Sequence, residues 1–373
     1  MVQKNKKAFV FTGGGTGGHL YPALALAQEV KRRMPAAEIH FIGSRRGLEA
    51  RVVPTMGFAL HLIPVRGFQR RLSIANLAVP WLLLQSLVQS FVLLRRIAPA
   101  AVIGTGGYVS GPVLVAARFL GLPTLIQEQN SLPGATTRIL ARIVDRVHIS
   151  FAESAALLKA RSVRLTGNPV RSFDPHLAPE SARLRLGLEA QRPTLLIFGG
   201  SQGARALNDA LLGALPRLLS ESEVQIIWST GKSDYPRIRA EVQDQPRINV
   251  LEFIDDMEAA YRAADLAVTR SGALTLAELT VCGVPAILVP YPFAAAGHQE
   301  QNARALERLG AAVVILQRDL TSERLAEEVL ALLRDHRRRE EMANAARKAA
   351  FPNATREIVD SLFELIAEEL KDE

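Results

Sequence analysis

The stretch VFTGGGTGGHLYP, residues 10 to 22, sets Gly13, Gly15 and Gly18 at the G-x-G-x-x-G spacing between an apolar run and a helical pattern. Glycines placed there let anionic oxygens approach backbone N–H groups at a helix start, so the chemistry is anion binding, of which a dinucleotide is only one case. His19 follows Gly18 at the mouth of the loop, and histidine is the side chain that ordinarily exchanges a proton near neutral pH. GTGGY (104 to 108), GGSQGA (199 to 204) and SGALTLAE (271 to 278) repeat the glycine-rich composition farther along the chain.

Such loops need strands before them and helices after them. AFVFTGG reads as a strand, and Leu20, Ala23, Leu24, Ala27 and Met34 then recur at helical spacing. EIHFIGS, AAVIGTGG, PTLIQEQ and RVHISF alternate with helical stretches, the rhythm of a parallel sheet covered on both faces. After RLTGNPVRSFDP the plan of strand, glycine loop and helix begins again, and it continues through EVQIIWSTG, INVLEFI, ADLAVTRSG, PAILVPY and AAVVI to a helical end from about Ser322. Two α/β domains are expected: residues 1–171 with 352–373, and residues 172–351. Pro352 breaks the final helical region and frees the last segment to pack elsewhere.

Composition narrows the partners. The first residues are too polar for a signal peptide, and the single Cys282, in an apolar run, reads as a small buried hydrophobe. A net charge of +8 favours an anionic partner without choosing its kind, and RDHRRR (334 to 339) reads as a solvated face. Leu77 to Leu94 approaches the roughly 20 apolar residues of a membrane span. Gln85, Ser86, Gln89 and Ser90 share one side of it, however, which describes a mostly buried helix with a polar stripe. Trp81 near Arg66, Arg70 and Arg71 is also a combination that dips into an anionic lipid interface.

A dinucleotide enzyme needs an acidic residue at the end of its second strand. Glu38 lies at the wrong end of EIHFIGS, and Ser44, Arg45 and Arg46 at the other end leave only an NADP-type reading, which assigns no task to the later glycine loops. TGGGTGGH, GTGGYVSGP, EQNSLPG, TGNPVR, GGSQGA, FIDDM, SGALTLAE and HQEQNA, in that order, resemble the motifs of the MurG glycosyltransferases. The resemblance covers nearly the whole chain. It implies two Rossmann-like doubly wound domains facing a cleft, the GT-B architecture. It also implies inverting transfer of N-acetylglucosamine from UDP-N-acetylglucosamine to the muramyl sugar of lipid I, at the cytoplasmic face of the membrane, with no nucleic acid partner.

The same resemblance assigns roles. Ala273, Leu274 and Thr275 present N–H groups to the donor diphosphate after Gly272, and Glu278 meets the ribose hydroxyls. Ser201 contacts the nucleotide, the main chain of Ile254 reads the uracil edge, and Arg171 supplies a fixed charge. Gln299, with Asn302 beside it, and Asn130 contact the donor sugar. Thr16, Gly17 and Gly18 meet the acceptor diphosphate near that sugar, and Tyr108 contacts the acceptor. The acceptor hydroxyl must lose a proton as it attacks, which calls for a base. His19 and Glu128 are the two candidates, and His19 also fits the role of a phosphate-binding donor. Asp255 and Asp256 look like helix-starting residues rather than an Asp-x-Asp metal motif, so neither a metal nor another cofactor is expected. Gln127 departs from the histidine expected there in some relatives.

Overall fold

The computed structural model describes residues 7–45, 47–65, 79–200 and 202–372. They form two compact units, Met1–Arg171 with Pro352–Glu373, and Ser172–Phe351.

In the first unit the strands are β1 (Ala8–Gly13), β2 (Glu38–Ser44), β3 (Ala59–Ile63), β4 (Ala101–Gly106), β5 (Thr124–Glu128), β6 (Arg146–Ile149) and β7 (Val163–Leu165). They pair in parallel in the order β3-β2-β1-β4-β5-β6-β7. Every residue of β1, β4 and β5 is buried, as an inner parallel strand with helices on both faces requires. The edge strands β3 (ALHLI) and β7 (VRL) escape a reading by apolar runs, because an edge exposes part of its surface and tolerates polar side chains.

The helices of this unit are α1 (Gly17–Arg33), α2 (Glu49–Thr55), α3 (Val79–Ile97), α4 (Ser110–Phe119) and α5 (Ala135–Leu140). Leu20, Ala23, Leu24 and Ala27 of α1 pack with Phe9, Phe11 and Phe41 into one core, which Ile358, Val359, Leu362 and Ile366 of the C-terminal helix complete. The segment after Pro352 therefore stabilises the first unit by burying its apolar face there.

Helix α3 departs from the expected pattern in part, although Leu94 is buried and Leu87, Phe91, Leu93 and Ile97 pack against the core. Ser86 and Ser90 are buried, whereas Trp81, Leu83, Leu84, Val88 and Val92 are exposed. The two serines face inward, α3 packs beside α4, and an apolar stripe is left outside. No helix among the described residues is long and apolar enough to cross a membrane. Arg66, Arg70, Arg71 and Arg46 lie outside the described residues.

The second unit contains β8 (Thr194–Phe198), β9 (Gln225–Ser229), β10 (Ile248–Leu251), β11 (Leu266–Thr269), β12 (Ala286–Leu288) and β13 (Ala312–Val314), parallel in the order β10-β9-β8-β11-β12-β13. Its helices are α6 (Pro179–Arg185), α7 (Arg205–Glu221), α8 (Tyr235–Glu241), α9 (Met257–Ala263), α10 (Ala273–Cys282), α11 (His298–Arg308), α12 (Ser322–Arg334) and α13 (His336–Ala349), and α14 (Ala354–Asp372) is the C-terminal helix of the first unit. Cys282 ends α10 half-buried, not enclosed as its apolar neighbours led one to expect. The basic run 334 to 339 is consumed locally: Arg334 pairs with Glu221, Arg338 with Glu328, and Arg339 donates to the last carbonyls of α12.

In each sheet the strand order reverses once, between β1 and β4 and between β8 and β11. Ligands of open parallel sheets bind at the carboxyl ends of the strands beside such a reversal. TGGGTGGH and GTGGY flank the first reversal, while GGSQGA and SGALTLAE flank the second.

Candidate active site

In the first unit the loop after β1 passes into α1 at Thr16, and no side chain caps that helix end. The loop after β4 packs directly on it. Gly106, at φ +99°, lies so close that a Cβ there would stand 2.9 Å from Nδ1 of His19, so only glycine lets the two loops meet. The contact seats the imidazole. Its Nδ1 is 3.0 Å from the carbonyl oxygen of Thr105 and 2.9 Å from Oε1 of Gln129, and Thr105 Oγ1 donates to the His19 carbonyl at 2.7 Å. Thr16 and Gly18 are exposed beside it, Gly17 is half-buried, and Tyr108 projects into solvent from the β4 loop.

One amide of the glycine loop is already committed. Buried Glu49, at the start of α2, accepts from Gly15 N at 2.9 Å and from Ser44 N and Oγ at 2.9 and 2.7 Å. A dinucleotide pyrophosphate would have to displace that carboxylate, so the oxidoreductase reading loses its loop, and ligand anions are left the Thr16 to Gly18 side.

Glu128 closes β5 with its carboxylate turned on its own loop. It accepts from Asn130 N at 3.0 Å, Asn130 Nδ2 at 3.2 Å and Gly134 N at 3.1 Å. Those bonds shape EQNSLPG and orient Asn130, and Ser154 Oγ holds the Asn130 carbonyl from below. Glu128 thus braces the loop, whereas Nε2 of His19 lies outside the network that holds Nδ1. Arg171, exposed, ends this unit.

In the second unit α10 begins at Gly272 without a side-chain cap, so the N-terminal amides at Ala273, Leu274 and Thr275 carry the positive end of the helix dipole. Buried Glu278 lies farther along the helix and accepts from the hydroxyl of Tyr261 at 2.9 Å. Tyr261 is itself wedged edge-on between Phe173 and Phe198. Ile254 follows β10 with its side chain buried, which leaves its main chain as the group a ligand can read. Asp256 caps α9 by accepting from Ala259 N at 3.0 Å and pairs with Arg185, the helix-starting role its sequence position indicates. Ser201 lies outside the described residues.

Gln299 is held at both ends: its Oε1 accepts from Tyr291 N at 2.9 Å and its carbonyl from Ser271 Oγ at 2.7 Å. Asn302, expected beside it as a sugar contact, is instead fully buried and donates from Nδ2 to the Ser271 carbonyl, tying α11 to the start of α10. Buried Arg270 donates to the carbonyls of Val289 and Pro290 and to Gln317 Oε1, and lies 5.6 Å over the ring of Tyr291. Burial pushes its guanidinium below the ordinary arginine range. Carbonyls and a ring face hold this cation in place of a carboxylate, and they fix the loop that carries Tyr291 and Gln299.

Residues 9–149 match the glycosyltransferase family 28 N-terminal domain, and residues 194–358 match the glycosyltransferase family 28 C-terminal domain. A protein of Chlorobaculum parvum named UDP-N-acetylglucosamine--N-acetylmuramyl-(pentapeptide) pyrophosphoryl-undecaprenol N-acetylglucosamine transferase is 47% identical, over 95% of this chain and 98% of its own. A protein of the same name from Acetivibrio thermocellus is 44% identical over 96% and 98%. The chain belongs to the MurG glycosyltransferase family. The crystal structure of Acinetobacter baumannii MurG superposes with a TM-score of 0.77 at 32% identity, covering 96% of this chain and 100% of that one. A putative UDP-N-acetylglucosamine 2-epimerase of Listeria monocytogenes shares the fold alone, with a TM-score of 0.68 at 13% identity.

Within this family frame, several residues at the site were not anticipated. Glu49 reaches Gly15, 34 positions away, Tyr261 reaches Glu278, 17 away, and Arg270 reaches Gln317, 47 away, and no local spacing signals these bonds. Gln129 stood inside the quoted EQN motif, and the signal that would have found it is its place one residue past the end of an inner strand, next to the β4 loop.

Proposed function

We propose that this protein transfers N-acetylglucosamine from UDP-N-acetylglucosamine to the C4 hydroxyl of the muramyl sugar of lipid I, forming lipid II. The observation that carries this reading is the near-full-length identity to transferases bearing that reaction in their names. In the reaction the acceptor oxygen forms a bond to the anomeric carbon as the bond from that carbon to the UDP oxygen breaks. The bonding electron pair leaves with the diphosphate, and the configuration inverts from α to β.

The second unit holds the donor. The N-terminal amides of α10 at Ala273, Leu274 and Thr275 receive the growing diphosphate charge, a stabilisation by oriented dipoles that strengthens as the sugar departs. Glu278, aimed by Tyr261, accepts from the ribose hydroxyls. The main chain of Ile254 reads uracil, Ser201 contacts the nucleotide, and Gln299 binds the sugar. In the first unit Thr16, Gly17 and Gly18 meet the acceptor diphosphate, Tyr108 contacts the acceptor, Asn130 contacts the donor sugar and Arg171 supplies a fixed positive charge. His19 Nε2 takes the proton from the attacking hydroxyl, and the braced loop of Glu128 keeps Asn130 in place.

A lipid acceptor brings the enzyme to the cytoplasmic face of the membrane. Trp81, Leu84, Val88 and Val92 recur at steps of three and four along α3, a continuous exposed apolar stripe with exposed Arg95 and Arg96 at its end. That stripe is the part of the first unit suited to an anionic lipid surface. The reaction is tested by following UDP release. Release should require a short-chain lipid I analogue, whereas equal release without acceptor would mark a hydrolase and refute transfer.

A further inference from the structure

We infer that Gln129 is a positioning residue which fixes His19 in the tautomer with the proton on Nδ1 and the lone pair on Nε2. This rests on the reading of His19 as the base. The direction of each hydrogen bond follows from its partners. The Nε2 of Gln129 faces three acceptors, the Thr105 carbonyl at 2.7 Å, the Gln127 carbonyl at 3.0 Å and Gln127 Oε1. Only the NH₂ end, its two hydrogens shared among these oxygens, can face them, so the oxygen of the Gln129 amide is the end turned to His19.

Gln127 is set in the same way. Its Nε2 donates to Ser150 Oγ at 3.0 Å and to the Glu128 and Gly167 carbonyls, which leaves Oε1 for Gln129. Both glutamines are buried, so reversing either amide would bury carbonyl oxygens against each other and leave them unpaired. Ring nitrogen Nδ1 therefore meets two acceptors, Gln129 Oε1 and the Thr105 carbonyl, and must be the donor. The remaining nitrogen, Nε2, is then the basic one.

This arrangement bears on turnover. When Nε2 accepts the proton of the attacking hydroxyl, the Nδ1–H bonds persist unchanged, so the imidazolium forms without reorganising its support. A ring with the opposite tautomer would present N–H to the acceptor hydroxyl and could not take its proton. Gln127, where some relatives are expected to carry histidine, contributes here as the neutral acceptor that keeps Gln129 from turning.

The test uses the full-length protein labelled with ¹⁵N-histidine, with the His19 ring signals assigned by their loss in His19→Asn. At a pH where the ring is neutral, Nδ1 should carry the proton and Nε2 should not. A protonated Nε2, or averaging between tautomers, overturns the proposal. Gln129→Met, close in shape and lacking the amide, should lower kcat about tenfold to a hundredfold while KM for both substrates stays within about twofold. If Gln129 acts through His19, adding Gln129→Met to His19→Ala should lower kcat no further, and an additive loss contradicts the positioning role. Should Gln129→Met fail to fold, Gln129→Leu serves for the same comparison, and the tautomer of the unmodified protein decides by itself. Full turnover in His19→Ala alongside an Nδ1–H tautomer would instead place the failure in the assignment of the base.

Discussion

His19 and Glu278 are each aimed by a neighbour, His19 by Gln129 and Glu278 by Tyr261, and this division between reacting and aiming groups yields separable outcomes. His19→Ala should reduce kcat about 10²- to 10⁴-fold, the usual contribution of a positioned general base, with donor affinity largely kept. Glu278→Ala should instead raise the apparent KM for UDP-N-acetylglucosamine by roughly 10- to 100-fold, through loss of charge-assisted bonds to the ribose. Steady-state kinetics varying each substrate separate the two, and the reverse pattern would exchange the roles. At this scale the sequence discloses candidates by residue type and motif, as with His19 after its glycines. It is silent on Glu49, because a buried carboxylate on a loop amide 34 residues distant leaves no spacing to read.

The C-terminal helix α14 is an element whose docking is chemically specific. Arg146 donates to the Ser361 carbonyl and pairs with Glu364 and Glu368, and His148 Nε2 meets Ser361 Oγ at 3.0 Å. Burial, reinforced by Arg164 and Arg146, holds the His148 imidazole down to about 3. Between its ordinary value and about pH 3 the unfolded chain therefore binds the extra proton and the folded protein does not. The sign follows: His148 destabilises the fold as pH falls through that window, by up to about 1.4 kcal/mol per pH unit. Urea unfolding at pH 7 and pH 5 should show a smaller acid loss in His148→Gln than in the unmodified protein, and an equal loss would contradict it.

Elements also mark where patterning misleads. The inner strands are legible because burial on both faces demands continuous apolar runs, and edge strands β3 and β7 are not, because one side is relieved of that demand. Helix α3 has the composition of a core helix, yet it buries Ser86 and Ser90 beside Leu94 and leaves Trp81, Leu84, Val88 and Val92 exposed. Periodicity reveals that two faces differ without saying which one meets the protein.

For the molecule as a whole, two units each carry glycine loops at the reversal of a parallel sheet, and one unit leaves an apolar stripe in contact with solvent. Removing that stripe with Trp81→Ser, Leu84→Ser and Val88→Ser together should weaken sedimentation with vesicles of anionic phospholipid at least about tenfold, given about 1.5–3 kcal/mol for a fully buried large apolar side chain. Turnover of a short-chain, detergent-soluble acceptor should stay near the unmodified level. Unchanged vesicle binding would move the docking surface elsewhere. The measurement that bears most directly on the reaction is the fate of the sugar when labelled UDP-N-acetylglucosamine is supplied with a lipid I analogue. The label should enter a β-1,4-linked disaccharide on the lipid, one UDP released for each, and recovery of the label as free sugar or as an epimerised nucleotide sugar would contradict the account.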